Sequence, residues 1–355
     1  MIYPNSHKDL DDLTVLILSH NRQHCLKEVL VFWEKHEIKT LVLDNSPKPL
    51  EHVSLYKKCT YVHSQTNFSD RSKKAMNLIQ TKYVIVAADD ELYLPKTLLK
   101  MTNFLEANLD YASVGAAAIA VWKYGPKIAA SWAYKKTVGY HNTGINAHER
   151  IRYHTGNGNE PTTYFFTCNM TRKEHLIDCL NLYGIAPILA TDAISVLTIC
   201  SAGKSYYLDD LYWVRNWNQF PKSHKGWDRS VYLHEWWDEF RGSNEWNLFE
   251  SALNSFYQNK FRRGDFNETW QMILNAGRIL QPNVNKNKYK PQIFKNNQAY
   301  FTTIKYYVKK IIRRRNLNYS NDVLNSMIDK KIGFNQSEAD EAISIVSKLK
   351  PYENW

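Results

Sequence analysis

The feature that most constrains this chain is an alternation that runs through its first 110 residues. Short apolar or β-branched runs of strand length, at Thr14–Leu18 (TVLIL), Thr40–Leu43, Thr60–His63 and Tyr83–Ala88 (YVIVAA), are separated by stretches with helical spacing. Cys25–Lys35 places Leu26, Val29, Leu30, Phe32 and Trp33 on one helical face, and Asp70–Gln80 reads as a second helix. Pro95–Ala107 reads as a third, opened by a proline whose fixed φ suits a first helical position. Strands alternating with helices predict an α/β fold, with a mostly parallel sheet flanked by helices.

In such a sheet the ligand-binding residues collect beyond the carboxyl ends of the strands. Three of the runs end in polar clusters: Ser19–Arg22, Asp44–Ser46 and Asp89–Glu91. Three acidic side chains in a row repel one another, and a shared divalent cation with oxygen ligands relieves that repulsion. Such an ion bridges phosphate oxygens. The competing role is a solvated acidic turn at the start of the Pro95 helix.

Further along, Ala116–Trp122 and Ile128–Trp132 flank Gly125-Pro126 and predict a hairpin. Arg150–Pro161, rich in Gly, Asn and Thr, reads as a loop, and Thr163–Asn169 as a strand. Thr171 and Glu174 have capping-box spacing at the head of a helix reaching Tyr183. Asp192–Ala202 is a helix closed by Gly203, followed by short strands at Lys204–Leu208 and Leu211–Val214. Beyond Arg215 strand patterns give way to helical ones, which divides the chain into residues 1–220 and a helical region, residues 221–355.

Charge is informative by its position. The chain has 46 Lys and Arg against 35 Asp and Glu, a formal net charge of +11. Eleven of the basic residues, from Arg278 to Arg315, lie in a window without Asp or Glu, so the remainder is balanced. A protein coated evenly with positive charge for nucleic acid is therefore excluded. Within the block, residues 299–315 set Phe301, Ile304, Val308, Ile311 and Ile312 on one stripe and most of the lysines off it. That pattern suits an anionic membrane surface, an acidic partner or nucleic acid, or a core-docked helix with a solvated basic face. Five widely spaced cysteines with no CxxC pair argue against a disulfide framework or a zinc site and for a reducing compartment. The N-terminal stretch lacks a signal-peptide pattern, and no run of about 18 apolar residues occurs. The expected location is cytoplasmic, with peripheral association at the inner face of the membrane.

Lys82–Leu98 (KYVIVAADDELYLPKTL) resembles the strand, acidic motif and helix of family 2 glycosyltransferases, which are nucleotide-diphospho-sugar transferases of GT-A fold. Leu16–Arg22 (LILSHNR) is similar to that family's first strand and turn, and Val42–Ser46 (VLDNS) to its second. Thr191–Arg215 resembles a later segment in which an acidic residue opens a helix and an arginine closes a short aromatic strand. The resemblance covers roughly residues 13–215.

It implies roles residue by residue. Asp44 would contact the nucleoside base with Arg22 nearby, and Asn21, Asn67, Arg71, Lys74 and Asp89 would complete the donor site. Asp90, with Asp89 or Glu91, would hold Mg²⁺ or Mn²⁺ on the diphosphate, with His224 as a further ligand. Asp192 would be the base that deprotonates the acceptor hydroxyl, and direct displacement would invert the anomeric centre. Two positions depart from the family pattern. Ala88 stands where its acidic motif begins, and Thr191 precedes Asp192 where it usually has Glu, which leaves a simple helix cap as the other role for Asp192. The function implied is transfer of a sugar from a nucleotide-sugar donor to a glycan or lipid-linked acceptor, in building a surface polysaccharide. Trp213, Trp217 and Trp227 are candidates for stacking on the acceptor. The competing classes are a nucleotidyltransferase, which would want a Gly-rich phosphate loop where SHNRQHC stands, and a non-catalytic carbohydrate- or nucleic-acid-binding protein.

Overall fold

The computed structural model describes residues 10–66, 68–124, 127–134, 138–156, 168–183, 191–217, 233–261, 266–280 and 320–349. Its first half follows the alternation read from the sequence: β1 (Leu13–Ser19), α1 (Gln23–Lys35), β2 (Lys39–Asp44), β3 (Cys59–His63), α2 (Phe68–Leu78), β4 (Tyr83–Ala87), β5 (Leu92–Tyr93) and α3 (Pro95–Ala107). Next come β6 (Tyr111–Tyr124), β7 (Lys127–Ala133), β8 (His141–Asn142), α4 (Ala147–His154), β9 (Met170–Arg172), α5 (Lys173–Tyr183), α6 (Thr191–Ala202) and β10 (Lys204–Asn216). The helices after β10 are α7 (Leu233–Glu239), α8 (Asn244–Lys260), α9 (Phe266–Leu280), α10 (Ser320–Asp329) and α11 (Gln336–Lys348).

One ten-stranded sheet carries the order β3-β2-β1-β4-β9-β6-β10-β5, with β7 beside β6 and β8 beside β10. Strands β1 to β4 are parallel; β9 is antiparallel to both β4 and β6, and β6 and β10 are again parallel to each other. The chain builds outward from β1 through β2 to β3 and then returns to place β4 on the other side of β1. That reversal opens a crevice beyond the carboxyl ends of β1 and β4, the position at which α/β sheets bind ligands.

The two central strands of the parallel half, β1 and β4, are apolar along almost their whole length because helices cover both faces. Side chains alternate across a strand. Leu13, Val15 and Ile17 face one way, into the core that α1, α3, α10 and α11 complete. Leu16 faces the other way, with Leu41, Leu43 and Val84, into the core completed by α2, α5, α6, α8 and α9. Burying each such side chain stabilises the fold by roughly 1.5–3 kcal/mol. The C-terminal helices are therefore part of the sheet's own core: Val323, Leu324, Met327, Ala339, Ala342, Ile343 and Val346 are buried in the same cluster as β1. Asp210 and Gly333 form a parallel bridge between β10 and the α10–α11 turn, and a Cβ on Gly333 would lie 2.6 Å from Asp210 Oδ1. The tryptophan-rich stretch also resolves into packing, with Trp236, Trp237, Trp246 and Trp270 buried around Phe249.

Several expectations need correction. Arg150–Pro161 is not all loop, because its first residues belong to α4. The Asn146 side chain accepts from Glu149 N at 2.9 Å and Glu149 Oε2 from Ile145 N at 2.9 Å, a capping pair hidden by the glycines that follow. Residues 163–167 of the expected Thr163–Asn169 strand lie outside the described residues, and the described strand starts at Met170. Thr171 sits inside that strand, paired with Val84 and Ser113, so it does not cap α5. The two strands expected after Gly203 are a single one, β10, whose register shifts between Tyr207 and Leu211 where Asp209-Asp210 interrupts the apolar pattern. Gly203 is needed for close approach: a Cβ there would meet Asp110 O at 2.7 Å. The boundary expected near residue 220 falls in residues 218–232, outside the described residues.

Candidate active site

Strand register brings three loops to one edge. Ser19 pairs with Asp44 across β1 and β2, and Ile17 with Ala87 across β1 and β4, so the turns that follow all three strands open side by side. On the β4 side, Ser19 Oγ donates to Asp89 Oδ2 at 2.7 Å, and Arg22 Nη1 lies 2.8 Å from Asp89 Oδ1. The other terminal nitrogen of Arg22 pairs with Asp90. Glu91 turns the opposite way. Its Oε2 accepts from the Trp213 indole at 3.0 Å, and its Oε1 lies 3.0 Å from Arg215 Nε, both on β10. Asp89, Asp90 and Glu91 are all buried.

Burial is the largest influence on Asp89 and Glu91 and pushes both carboxyls up to about 7, with the charge of Asp90 adding to it. Arg22 and Ser19 oppose the shift at Asp89, and Arg215 and Trp213 oppose it at Glu91. Among the described residues this cluster sets three carboxylates against two guanidiniums, an imbalance that favours retention of a proton.

On the β2 side the single carboxylate of Asp44 is fully buried and meets only neutral donors. Oδ1 accepts from Ser46 N at 2.8 Å and Ser46 Oγ at 2.5 Å; Oδ2 accepts from Gln23 Nε2 at 3.0 Å and Tyr61 OH at 2.7 Å. Burial alone would raise its pKa, but these hydrogen bonds outweigh it and the net shift is downward. A carboxylate has about four acceptor positions, so Asp44 is saturated. The knot fixes the β2–β3 loop, because Gln23 Nε2 also donates to Lys48 O at 2.6 Å and Tyr61 OH accepts from Leu50 N at 2.7 Å.

The remaining donor-site candidates surround these clusters. Asn21 adopts the left-handed region at φ 55°, and its N–H donates to Ser46 Oγ at 3.0 Å, stitching the β1 turn to the β2 turn. Arg71 reaches from α2 to Ser19 O at 3.3 Å, and Lys74, one turn on, donates to Ser64 Oγ at 2.9 Å. Asp192 opens α6, half-buried. Its helix pairs with α5 through Cys179 Sγ and Thr198 Oγ1 at 2.5 Å and ends at Gly203 against Asp110, at the amino edge of β6. A twelve-residue helix leading to that edge spans about 18 Å, which leaves Asp192 towards the carboxyl edge. Asn67 and His224 lie outside the described residues.

The acidic triplet does not present itself as a cation shell. Asp89 and Asp90 are bridged by Arg22 while Glu91 faces Arg215, and among the described residues no three His, Cys, Asp or Glu side chains converge. So arranged, the three carboxylates are engaged by Arg22, Arg215 and the Trp213 indole rather than turned on one point. Trp213, a candidate acceptor platform, is buried and donates to Glu91; Trp217 is 43% exposed, with the Arg215 guanidinium 5.4 Å from its ring centroid, and Trp227 lies outside the described residues.

Sequence reading missed Ser19 as a partner of Asp89, and Gln23 and Tyr61 as partners of Asp44. Their spacing of 70, 21 and 17 residues from those partners has no local periodicity, so no local signal marked the pairings. Arg215 was legible as the close of a resembling segment, though its pairing with Glu91 was not.

No family model and no curated protein sequence matches the chain. Among solved structures it is similar to S. aureus TarS 1–349, at 13% identity over 79% of this chain and 75% of that one, with a TM-score of 0.48. It is also similar to a longer S. aureus TarS structure, at 14% identity over 75% of this chain and 54% of that one, with a TM-score of 0.38.

Proposed function

We propose that this chain is a glycosyltransferase that takes a sugar from a nucleotide-diphosphate donor and passes it to a glycan or lipid-linked acceptor in surface polysaccharide synthesis. The observation that carries the reading is the convergence of three polar turns at the β1–β4 switch point, with Asp192 heading a helix that leads away from the same edge. Donor phosphates are anionic, and Arg71 and Lys74 supply cations at that edge apart from the arginines paired in the acidic cluster. The acceptor hydroxyl must lose a proton as it attacks, and a half-buried carboxylate at a helix start serves as its base. Attack from the face opposite the leaving diphosphate inverts the anomeric carbon. Asp44 contributes by holding the β2–β3 loop that walls the nucleoside side.

The test is donor consumption with an acceptor panel, in the presence and absence of Mn²⁺, for wild type and Asp192→Asn. The variant is expected to lose at least about 100-fold in turnover while donor binding stays within twofold. Unchanged turnover sinks Asp192 as the base, and absence of any nucleotide-sugar binding sinks the whole reading.

A further inference from the structure

The chain leaves β7 through a strained residue. Tyr134, directly after the last residue of that strand, adopts φ 55°. A bulky side chain is disfavoured in the left-handed region, where its Cβ crowds the backbone, and it persists there only when its surroundings hold it. The surroundings here are the β10 side of the carboxyl edge. Ala133 pairs with Ala118, and Ala118 with Trp213, so the end of β7 lies level with Trp213. The Tyr134 ring stacks on the Trp213 indole, with centroids 5.5 Å apart and planes 25° from parallel.

The same ring meets Arg215. The guanidinium carbon of Arg215 lies 5.6 Å from the ring centroid of Tyr134, 5.6 Å from that of Trp213 and 5.4 Å from that of Trp217. A cation within about 6 Å of a ring centroid is attracted by the π-face. Trp213 and Trp217 stand two residues to either side of Arg215, as strand alternation dictates. Tyr134 is the ring brought from another strand. Glu91 Oε1, 3.0 Å from Arg215 Nε, closes the remaining side. The terminal nitrogens of Arg215 make no hydrogen bond among the described residues, and its side chain is 26% exposed, so a caged guanidinium still opens to the cleft. Glycine at position 134 would relieve the backbone, but it would also remove the ring.

We propose that Tyr134 is a positioning residue for the transfer reaction, whose ring fixes the Arg215 guanidinium at the carboxyl edge. A group held still in advance stabilises developing charge without reorganising as the reaction proceeds. That Arg215 faces reacting groups rests on the function proposed above; the hold of the ring on Arg215 does not.

The experiment compares wild type with Tyr134→Phe, Tyr134→Leu and Tyr134→Gly, each alone and combined with Arg215→Gln. Steady-state turnover is read beside the ¹⁵Nε resonance of Arg215, assigned by its loss in Arg215→Gln. Tyr134→Leu keeps the bulk without a π-face, and Tyr134→Gly removes both. Each is expected to lower kcat about tenfold, with KM for the donor within about threefold, the pattern of a misplaced group rather than a lost binding contact. Tyr134→Phe should stay within about twofold of wild type, because it keeps the ring. Combined with Arg215→Gln, Tyr134→Leu should cost little more, since two residues acting as a unit are not additive. The Arg215 resonance should move in Tyr134→Leu and hold in Tyr134→Phe. If Tyr134→Gly fails to fold, Tyr134→Leu carries the same comparison; if neither folds, the ring is structural and the proposal falls. Active wild type with additive losses, with Tyr134→Phe as impaired as Tyr134→Leu, or with an Arg215 resonance that ignores Tyr134→Leu overturns the proposal and leaves the glycosyltransferase reading standing. An Arg215 resonance that follows Tyr134 in a protein that transfers no sugar removes that reading, and the role in transfer falls with it.

Discussion

The two sides of the carboxyl edge solve the same problem by opposite means. Asp44 and Asp89 are both strand-end carboxylates with almost no exposure. Asp44 is surrounded by hydroxyl, amide and phenol donors, which hold its charge without introducing another, and its pKa falls. Asp89 shares Arg22 with Asp90, close to Glu91, and its pKa rises to about 7. Four neutral hydrogen bonds directed at one carboxylate stabilise its ionised form better than one guanidinium divided between two. The β2 side is therefore a rigid, self-satisfied wall. The β4 side is a compact charge cluster whose balance depends on every member.

The comparison can be broken most forcefully at Arg22. Arg22→Ala leaves Asp89 and Asp90 buried without their shared cation, and urea unfolding should show a loss of about 3–5 kcal/mol. A loss under about 1 kcal/mol would mean that the cluster is already hydrated and not held by the pair. A smaller effect is expected at Asp44. Asp44→Asn replaces one acceptor oxygen by a donor that faces donors, and the same measurement should give a loss of about 1–3 kcal/mol. If it costs as much as Arg22→Ala, neutral and ionic satisfaction are not distinguishable here.

The effect that is smallest per pH unit is the most diagnostic, because the two sides should respond to pH with opposite signs. The folded pKa of Asp89 lies above its ordinary value, so its contribution to stability is fully present below about pH 4 and is lost as pH rises towards 7. Asp44 is shifted downward, so its contribution is present above about pH 4 and is lost as pH falls below that. The stability difference between wild type and Asp89→Asn should therefore drift against wild type from pH 4 to 7, by up to about 1.4 kcal/mol per unit. The difference between wild type and Asp44→Asn should shrink only on the acid side. Parallel slopes for the two variants would refute the contrast.

Much of the architecture was legible because it is local. A strand covered on both faces must be apolar throughout, and TVLIL and YVIVA are. The helix proline at position 95 and the hairpin expected about residues 125–126 follow from short-range backbone chemistry; those two residues lie outside the described residues, and β6 and β7 on either side of them pair antiparallel. Errors arose where a local signal served a distant partner. Thr171 resembles a helix cap yet lies in a strand, because β4 and β6 on either side offer it ladder partners. Asp209-Asp210 resembles a strand end yet marks an irregularity inside β10, where Gly333 and Lys100 receive the polar groups. The helical tail was legible as helical, but nothing in its periodicity says that α10 and α11 complete the core on the same face as α1.

The sequence by itself determined that strands and helices alternate, that three strands end in polar clusters, and that the positive charge is local. These depend on side-chain period, turn chemistry and composition, which act over a few residues. Only the tertiary structure decided which charges face one another: Arg22 against two aspartates nearly seventy residues away, Glu91 against an arginine on β10, and Asp44 closed off by its neighbours. Those choices follow from strand order and register, which fix the meeting of distant residues within about an ångström. A buried charge is stabilised or penalised on that scale, and so it is the register of β1 between β2 and β4 that brings Arg22 against Asp89 and Asp90.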